Sequence, residues 1–267
     1  MKLLLKNGAR IEIWRDLAEA SERAALLFCE IALRSVAERG RFRVALPGGS
    51  TPKAMLTLLA RAEYREALAS AWPLTSVFWT DERCVPPDDP QSNFRMGHET
   101  LLRHIPSVPA SQIHRMRGED LPERAAALYS SLIESEFGTS DPVFDLILLG
   151  MGDDAHTASI FPHSPLLKDG TGDKLVAAPY VKKLRAHRLT LTLRPLNHAA
   201  NVIFLVSGKE KSTLLDKVFA SLEEDEALPA RYVRPLEGEL TWLVDEEAAR
   251  LLSSEPSGLS PHAHAPV

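Results

Sequence analysis

The chain has 267 residues, of which 45% are hydrophobic and 25% charged, a composition typical of a globular protein with room for one or two α/β domains. Its formal net charge of -5 argues against general nucleic-acid binding, because no basic excess is present to neutralise phosphates along a duplex. The two cysteines, Cys29 and Cys84, are too few for a disulfide framework, and no apolar run predicts a signal peptide or a membrane span. We therefore expect a cytoplasmic protein with no membrane association.

The N-terminal segment predicts a hairpin followed by a long helix. Residues 3–14 alternate loosely between apolar and polar side chains and turn at Asn7-Gly8, a dipeptide typical of hairpins. Apolar residues then recur at helical spacing from Leu17 to Arg39, where Asp16 can cap the start and Gly40 supplies the stop.

A glycine-rich segment, Pro47-Gly48-Gly49-Ser50-Thr51-Pro52, follows a short predicted strand at 43–46. The glycines let the backbone approach a ligand closely, and we expect Ser50 or Thr51 to cap a helix from about Lys53 to Glu66. Free N–H groups at such a helix start favour an anion, although a plain strand-to-helix turn also explains the segment. It matches neither the Walker pattern nor GxGxxG, so no nucleotide is predicted.

Charged residues stand at the end of the next predicted strand, 77–80. Arg83 can offer a planar fork to a phosphate or carboxylate, and Asp81 can partner a histidine. Cys84 lies beside Arg83, which could lower the pKa of its thiol, but no other sign of thiol catalysis is visible. Helices are predicted to follow at 94–103 and 122–137.

An apolar run at 144–149 predicts a strand buried on both faces, and it ends in Gly150 and Gly152. Asp153, Asp154, Ala155 and His156 come directly after these glycines. In α/β sheets, ligands bind in the crevice outside the carboxyl ends of the strands. His156 is therefore the strongest candidate for a catalytic group, because histidine is the side chain best suited to proton transfer near neutral pH. A capping or turn histidine is the alternative.

The C-terminal half predicts more strands and a third anion-binding segment. Ser207-Gly208-Lys209-Glu210-Lys211 follows a buried strand at 202–206 and begins a helix to about Leu222. Lysines at a helix start are unfavourable for the fold alone, so an anionic ligand would compensate them, with solvated lysines as the alternative. Further strands are predicted at 176–180, 188–193, 228–233 and 240–244, and a last helix at 245–252. No linker interrupts residues 1–252, which we predict to form one domain, followed by a disordered tail at 253–267.

Six segments, in this order along the chain, resemble the 6-phosphogluconolactonase family, within the broader group that includes glucosamine-6-phosphate deaminases. They are LPGGSTP (46–52), WTDERCVP (79–86) with QSNF (91–94), LGMGDDAHTASIFP (149–162), RLTLTL (188–193), VSGKEK (206–211) and RPLEGELTWLVD (234–245). The resemblance implies a three-layer Rossmann-like α/β domain, with a mostly parallel central sheet flanked by helices. It also implies hydrolysis of 6-phospho-D-glucono-1,5-lactone in the oxidative pentose phosphate pathway, with no metal or organic cofactor. We expect this sugar phosphate lactone as the partner, and a monomer or weak homo-oligomer.

The same resemblance assigns roles to individual residues. His156 matches the histidine proposed to activate the attacking water, and Asp154 matches the acid two residues before it. In our hypothesis, either Asp154 or Asp81 orients the imidazole. Arg83 matches the arginine of the DER motif and would anchor the substrate or stabilise charge. The residues that match the phosphate-binding positions are Gly48, Gly49, Ser50, Thr51 and Lys211, with Lys209 as a poorer match than Lys211.

One position departs from the family pattern. Ala155 stands where the family usually has glycine, and if that position requires a positive φ, alanine imposes strain of about 1 kcal/mol that can shift the imidazole. Two alternatives follow. A glucosamine-6-phosphate deaminase or isomerase shares the GGSTP-like loop and the acid-x-His motif, but usually continues to Asn-Glu-Pro where this chain has TASIFP (157–162), and usually carries Tyr at the place of Arg83. A non-catalytic sugar-phosphate sensor would keep the fold without turnover.

Overall fold

A seven-stranded sheet runs through the centre of the protein, in a computed structural model that describes residues 1–167, 174–220 and 227–252. Its strands lie in the order β1-β2-β11-β10-β6-β3-β4, and all neighbours are parallel except the N-terminal hairpin. The strands are β1 (Lys2–Lys6), β2 (Ala9–Trp14), β3 (Phe42–Leu46), β4 (Thr75–Trp79), β6 (Leu146–Leu149), β10 (Asn201–Val206) and β11 (Glu239–Asp245). The predicted tail, 253–267, lies outside the described residues.

A second, smaller antiparallel sheet follows the end of β4. It consists of β5 (Asp81–Arg83), β7 (Val176–Ala177), β8 (Tyr180–Val181) and β9 (Ala186–Leu191), with β9 pairing to the other three. The two sheets meet at Thr80, whose N–H donates to Leu46 O and whose carbonyl accepts from Leu191 N. This junction brings the charged segment after β4 to the carboxyl ends of the parallel strands.

Helices cover both faces of the central sheet. They are α1 (Leu17–Arg39), α2 (Ser50–Leu59), α3 (Ala62–Ala67), α4 (Asn93–Thr100), α5 (Pro122–Phe137), α6 (Leu193–Asn197) and α7 (Ser212–Phe219). Side chains of α1, α2 and α3 pack on one face of the sheet, whereas α5, α7 and the small sheet pack on the other. Along β6 the side chains alternate between these two cores, so this strand is buried on both faces. The predicted three-layer, mostly parallel α/β fold is confirmed.

Several elements predicted from local signals are confirmed. The hairpin turns at Asn7-Gly8, where both residues adopt a positive φ. Helix α1 has the predicted bounds, with the Asp16 carboxylate accepting from Glu19 N and Gly40 in the left-handed conformation at the end. Helix α5 also has its predicted bounds.

Other predictions were wrong. Residues 228–233 do not form a strand, because Pro229–Tyr232 make a 3₁₀ turn, and residues 245–252 form hydrogen-bonded turns rather than a helix. The helix predicted to Glu66 is two helices, and the strand predicted at 176–180 is two short strands. Neither Ser50 nor Thr51 caps α2, since the residue before the helix is Gly49, at φ 99°, and no side chain makes a cap hydrogen bond. Helix α7 ends at Phe219, and Leu222 lies outside the described residues.

Candidate active site

A cavity of about 530 Å³ opens at the carboxyl ends of the parallel strands. Loops after β3, β6 and β10 line it, together with the small sheet and the turn before β9. The predicted residues that line the cavity are Asp81, Arg83, His156, Gly48, Gly49, Ser50, Thr51 and Lys211. Asp154 does not line the cavity but contacts His156, and Lys209 is exposed and does not line it. The sequence-predicted residues are therefore brought together, except for Lys209.

The imidazole of His156 is held on three sides. Its ring stacks on Phe161, with centroids 4.2 Å apart and an interplanar angle of 19°. Gly152 packs against the ring so closely that a Cβ at this position would lie 2.0 Å from the ring's Cε1 and Nδ1. The third contact joins His156 Nδ1 to Asp154 Oδ1 at 2.6 Å. The sequence did not mark Phe161 as a partner of His156, because stacking depends on how the loop folds back after Ala158, at φ 46°.

Asp154 has a second partner, since Lys183 Nζ donates to its Oδ2 at 2.9 Å. Burial opposes ionisation of Asp154, but the hydrogen bonds from Lys183 and His156 outweigh burial and lower its pKa to about 2. The carboxyl is thus ionised at neutral pH and can only accept hydrogen bonds. Nδ1 of His156 must therefore carry the hydrogen of the neutral ring, which leaves Nε2 free to accept a proton.

The other candidate partner of His156, Asp81, is engaged elsewhere. Its Oδ2 accepts from Ser159 Oγ at 2.7 Å, and its Oδ1 accepts from Asn93 Nδ2 at 3.1 Å. Of the two acids that the sequence left open, Asp154 is the one in contact with His156. Asp81 instead organises the floor of the cavity, which Asn93 and Ser159 also line.

Glu82, between the two candidate residues of β5, is 2% exposed and holds the start of α4. Its oxygens accept from the backbone N–H groups of Asn93 and Phe94, at 2.7 and 2.8 Å, and from Ser92 Oγ at 3.0 Å. Burial raises its pKa, although the hydrogen bonds from these N–H groups oppose that shift. Glu82 therefore fixes Asn93 beside the cavity without lining it.

The loop before α2 approaches the cavity through its backbone. At Gly48 a Cβ would lie 1.9 Å from Asn93 Oδ1, so only glycine fits against that side chain. Gly49 adopts φ 99°, a conformation that favours glycine. Because no side chain caps α2, the N–H groups of its first turn are left for a ligand, and Ser50 and Thr51 stand at the cavity wall.

Two arginines face the cavity from the small sheet. Arg83 and Arg188 stand directly opposite each other in the β5–β9 pair, and both line the cavity. Burial lowers the pKa of Arg188, and the charge of Arg83 adds to this effect. In the described part of the chain neither forms a salt bridge with a carboxylate, although Arg83 Nη1 donates to Gln91 O at 2.6 Å. In the sequence, Arg188 appeared only as part of the RLTLTL segment. The pairing of β5 with β9, which places Arg188 opposite Arg83, joins segments that are far apart along the chain.

A further cation comes from the loop after β10. Lys211 lines the cavity and contacts Asp153, and this contact lowers the pKa of the exposed Asp153 carboxyl. Asp245, at the end of β11, accepts hydrogen bonds from Ser207 Oγ and from Gly208 N and so fixes the loop that carries Lys211. The cavity thus combines a helix start with four cationic side chains, those of Arg83, Arg188, Lys211 and Lys183, which is an arrangement that favours anions.

Two other chemistries find no support here. Burial raises the pKa of the Cys84 thiol, contrary to the lowered value considered from the sequence, and Cys84 does not line the cavity. Among residues 1–167, 174–220 and 227–252, no group of three or more His, Cys, Asp or Glu side chains could hold a metal ion. In the same part of the chain no helix is long and apolar enough to cross a membrane.

The fold and the site define an α/β protein in which a histidine–carboxylate pair stands at a cavity lined by cationic side chains. The chain belongs to the family of glucosamine-6-phosphate isomerases/6-phosphogluconolactonase, whose model matches residues 15–242. The 6-phosphogluconolactonase of Synechocystis sp. is 40% identical over 235 residues, which cover 86% of this chain and 93% of that relative. The Homo sapiens 6-phosphogluconolactonase is 41% identical over 221 residues, covering 80% and 82%. The resemblance found in the six sequence segments is confirmed.

Solved structures agree with this membership. The 6-phosphogluconolactonase from Trypanosoma cruzi is similar with a TM-score of 0.80 and 28% identity, and the match covers 95% of this chain and 100% of that one. A monomeric glucosamine-6-phosphate deaminase is similar in fold, with a TM-score of 0.70 at 21% identity over 90% of this chain and 99% of that one. The fold is therefore shared by both activities of the family.

Proposed function

We propose that this protein hydrolyses 6-phospho-D-glucono-1,5-lactone to 6-phospho-D-gluconate, in the second step of the oxidative pentose phosphate pathway. The observation that carries the proposal is the Asp154–His156 pair, which leaves Nε2 of the imidazole free beside a cavity rich in anion-binding groups. The 6-phosphogluconolactonases at about 40% identity, with most of each chain covered, support the same activity.

His156 acts as the general base in this proposal. Nε2 removes a proton from a water molecule as the water oxygen bonds to C1 of the lactone, and the carbonyl electron pair moves onto the oxygen to form a tetrahedral oxyanion. Asp154 stabilises the imidazolium that results and keeps its orientation. The oxyanion then re-forms the carbonyl, the bond from C1 to the ring oxygen breaks, and the imidazolium returns its proton to that leaving oxygen.

Charge that develops on the lactone oxygen needs donors aimed at it. Arg83 and Arg188 are suited to this role or to anchoring the substrate, because both residues line the cavity and neither forms a salt bridge with a carboxylate among the described residues. No covalent nucleophile is required, since a lactone is an activated ester and the chain has no GxSxG motif. Neither a metal nor an organic cofactor takes part in the proposed steps.

The phosphate binds at a distance from the reacting carbon. The start of α2, with Gly48 to Thr51, supplies backbone N–H groups, and Lys211 supplies a charge from the opposite loop. Binding energy gained there positions C1 against the base, so that a remote group contributes to the rate. We also propose that the protein is a monomer or a weak homo-oligomer. The two free cysteines support the cytoplasm as the compartment.

The experiment that tests this proposal measures hydrolysis of freshly generated lactone by the purified protein against the spontaneous rate. We expect hydrolysis well above that rate in the wild type and in His98→Ala, a variant of a histidine that does not line the cavity, and a collapse in His156→Ala. Ammonia release from glucosamine 6-phosphate is followed in parallel. A wild-type rate no faster than the spontaneous one refutes the lactonase, and ammonia release then separates a deaminase from a sensor that binds without turnover.

A further inference from the structure

Lys183 is the third member of the group around His156, and neither the sequence pattern nor the comparisons assign it a role. It lies in a single 3₁₀ turn, Lys182–Leu184, between β8 and β9. Its side chain is 64% exposed and lines the cavity, and its Nζ donates to Asp154 Oδ2 at 2.9 Å. The other oxygen of that carboxylate accepts from His156 Nδ1. One carboxylate thus serves two cationic or potentially cationic partners.

Sharing the carboxylate changes what it can do for the histidine. A carboxylate that contacts only a histidine stabilises the imidazolium form and makes the ring more basic. Here the ammonium of Lys183 offsets part of the negative charge of Asp154, and it also repels a second positive charge on the ring. Both effects favour the neutral imidazole, which is the form that can accept a proton from water.

We propose that Lys183 is a positioning residue that holds Asp154 against His156 and keeps the imidazole unprotonated, so that hydrolysis extends to lower pH. This inference rests on the proposed lactone hydrolysis. The side chain of Lys183 is mostly exposed. Replacing it removes the charge near Asp154, while the hydrogen bond between Asp154 and His156 can still form.

Apart from Asp154, the groups around His156 in the described part of the chain have hydrogen-bond partners other than Lys183 or carry no charge. Asp153 contacts Lys211, and the side chains packed on the ring, Phe161 and the Gly152 backbone, carry no charge. The other charged or titratable residues that line the cavity are Asp81, Arg83, Arg188, Glu210 and Lys211. A change in the protonation of His156 in a Lys183 variant therefore reports the loss of the Lys183 charge.

The test compares the pH dependence of kcat/KM in wild type, Lys183→Met, Lys183→Arg and Lys182→Met. Lys182 stands in the same turn but does not line the cavity, so its variant controls for the loss of one charge. We expect the acid limb of Lys183→Met to move to higher pH by roughly 0.5–1 unit, the size that one charge several ångströms away produces. Lys183→Arg and Lys182→Met should overlay the wild-type profile.

A second measurement is independent of turnover. The His156 ring is followed by two-dimensional NMR as the pH is lowered, with His156→Ala used to assign the signal. An upward shift of the protonation midpoint in Lys183→Met, by a similar roughly 0.5–1 unit, supports the inference. Coincident titrations in wild type and Lys183→Met overturn it, as does a uniform loss of kcat at every pH without any shift, because that indicates a purely structural role. If the wild type shows no lactone hydrolysis, the proposed function fails, and the NMR titration still decides the role of Lys183.

Discussion

The close approach of Gly152 to His156 makes Gly152→Ala a sharp test of how the imidazole is positioned. The added Cβ would lie 2.0 Å from two ring atoms, whereas ordinary contact begins at 3.4 Å, so the ring has to retreat by about 1.4 Å. A displacement of that size exceeds the slack in the 2.6 Å hydrogen bond to Asp154. Gly152 does not adopt a positive φ, so alanine imposes no backbone strain and the effect is confined to the ring.

The expected loss follows from what a positioned base contributes. A general base raises the reaction rate by about 100- to 10,000-fold, and misplacing a catalytic group by about 1 Å can lower the rate by about 100-fold. We therefore expect kcat of Gly152→Ala to fall by at least about 100-fold. The KM should change by less than about threefold, because the groups proposed to bind the phosphate are untouched. The free energy of unfolding should change by less than about 1 kcal/mol, as for a substitution that creates no cavity.

Gly150→Ala is the matched control, because a Cβ there would meet only the Pro52 ring, at 3.7 Å and therefore in ordinary contact. Steady-state kinetics with fresh lactone and urea unfolding are measured on both variants. Wild-type kcat in Gly152→Ala would refute the argument that this glycine sets the ring position. An equal loss of kcat in both variants would refute it too, since any methyl group in this loop would then be harmful.

Three further predictions test other parts of the site and the fold. Arg188→Gln should raise KM or lower kcat by about 10- to 100-fold in steady-state assays, because a charge-assisted hydrogen bond to the substrate is lost; wild-type kinetics would exclude Arg188 from the site. Asp153→Asn should bind 6-phosphogluconate a few-fold more tightly by calorimetry, because Lys211 loses a competing partner; weaker binding would show instead that Asp153 helps to place Lys211. Burial lowers the pKa of His114, although the charge of Glu136 opposes this shift. The unfolded chain therefore binds a proton at His114 more readily than the folded protein does, and the free energy of unfolding decreases as the pH falls through about 6.5. His114→Phe should accordingly lose less unfolding free energy than wild type between about pH 7.5 and 5.5, and equal losses would contradict the assignment.

The sequence revealed those parts of the fold that depend on neighbours along the chain. Helix α1 was predictable from its periodicity, its capping Asp16 and its terminal Gly40, and all three act within a few residues of the helix itself. Strand β6 was predictable because burial on both faces leaves an uninterrupted apolar run. His156 stood out because it lies in the loop of glycines and acids that follows this strand.

The parts that the sequence missed depend on contacts between distant segments. Arg188 and Lys183 reach the cavity only because β9 pairs with β5 and places the preceding turn over Asp154. Leu228, Ala230 and Val233 are buried in the same core as side chains of α7, and Ala230 N donates to Ala155 O. Burial alone made the segment 228–233 resemble a strand. Composition reports burial, but it does not distinguish a buried strand from a buried 3₁₀ turn.

Ala155, which replaces the glycine usual in the family, was the main argument from the sequence against catalysis, and its environment in the structure removes that argument. Its φ is 59°, so the position does require the left-handed conformation, at a cost of about 1–2 kcal/mol for alanine. The methyl group is fully buried, and this burial stabilises the folded state by up to about 0.8 kcal/mol. Backbone hydrogen bonds from Ala155 N to Gly152 O and from Ala230 N to Ala155 O hold the turn in place. The strain is borne by a turn that is fixed at both ends, and the imidazole of His156 keeps its contacts with Asp154 and Phe161. A sensor that had lost catalysis through this substitution should show a displaced ring, so Ala155 no longer favours that alternative over the hydrolase.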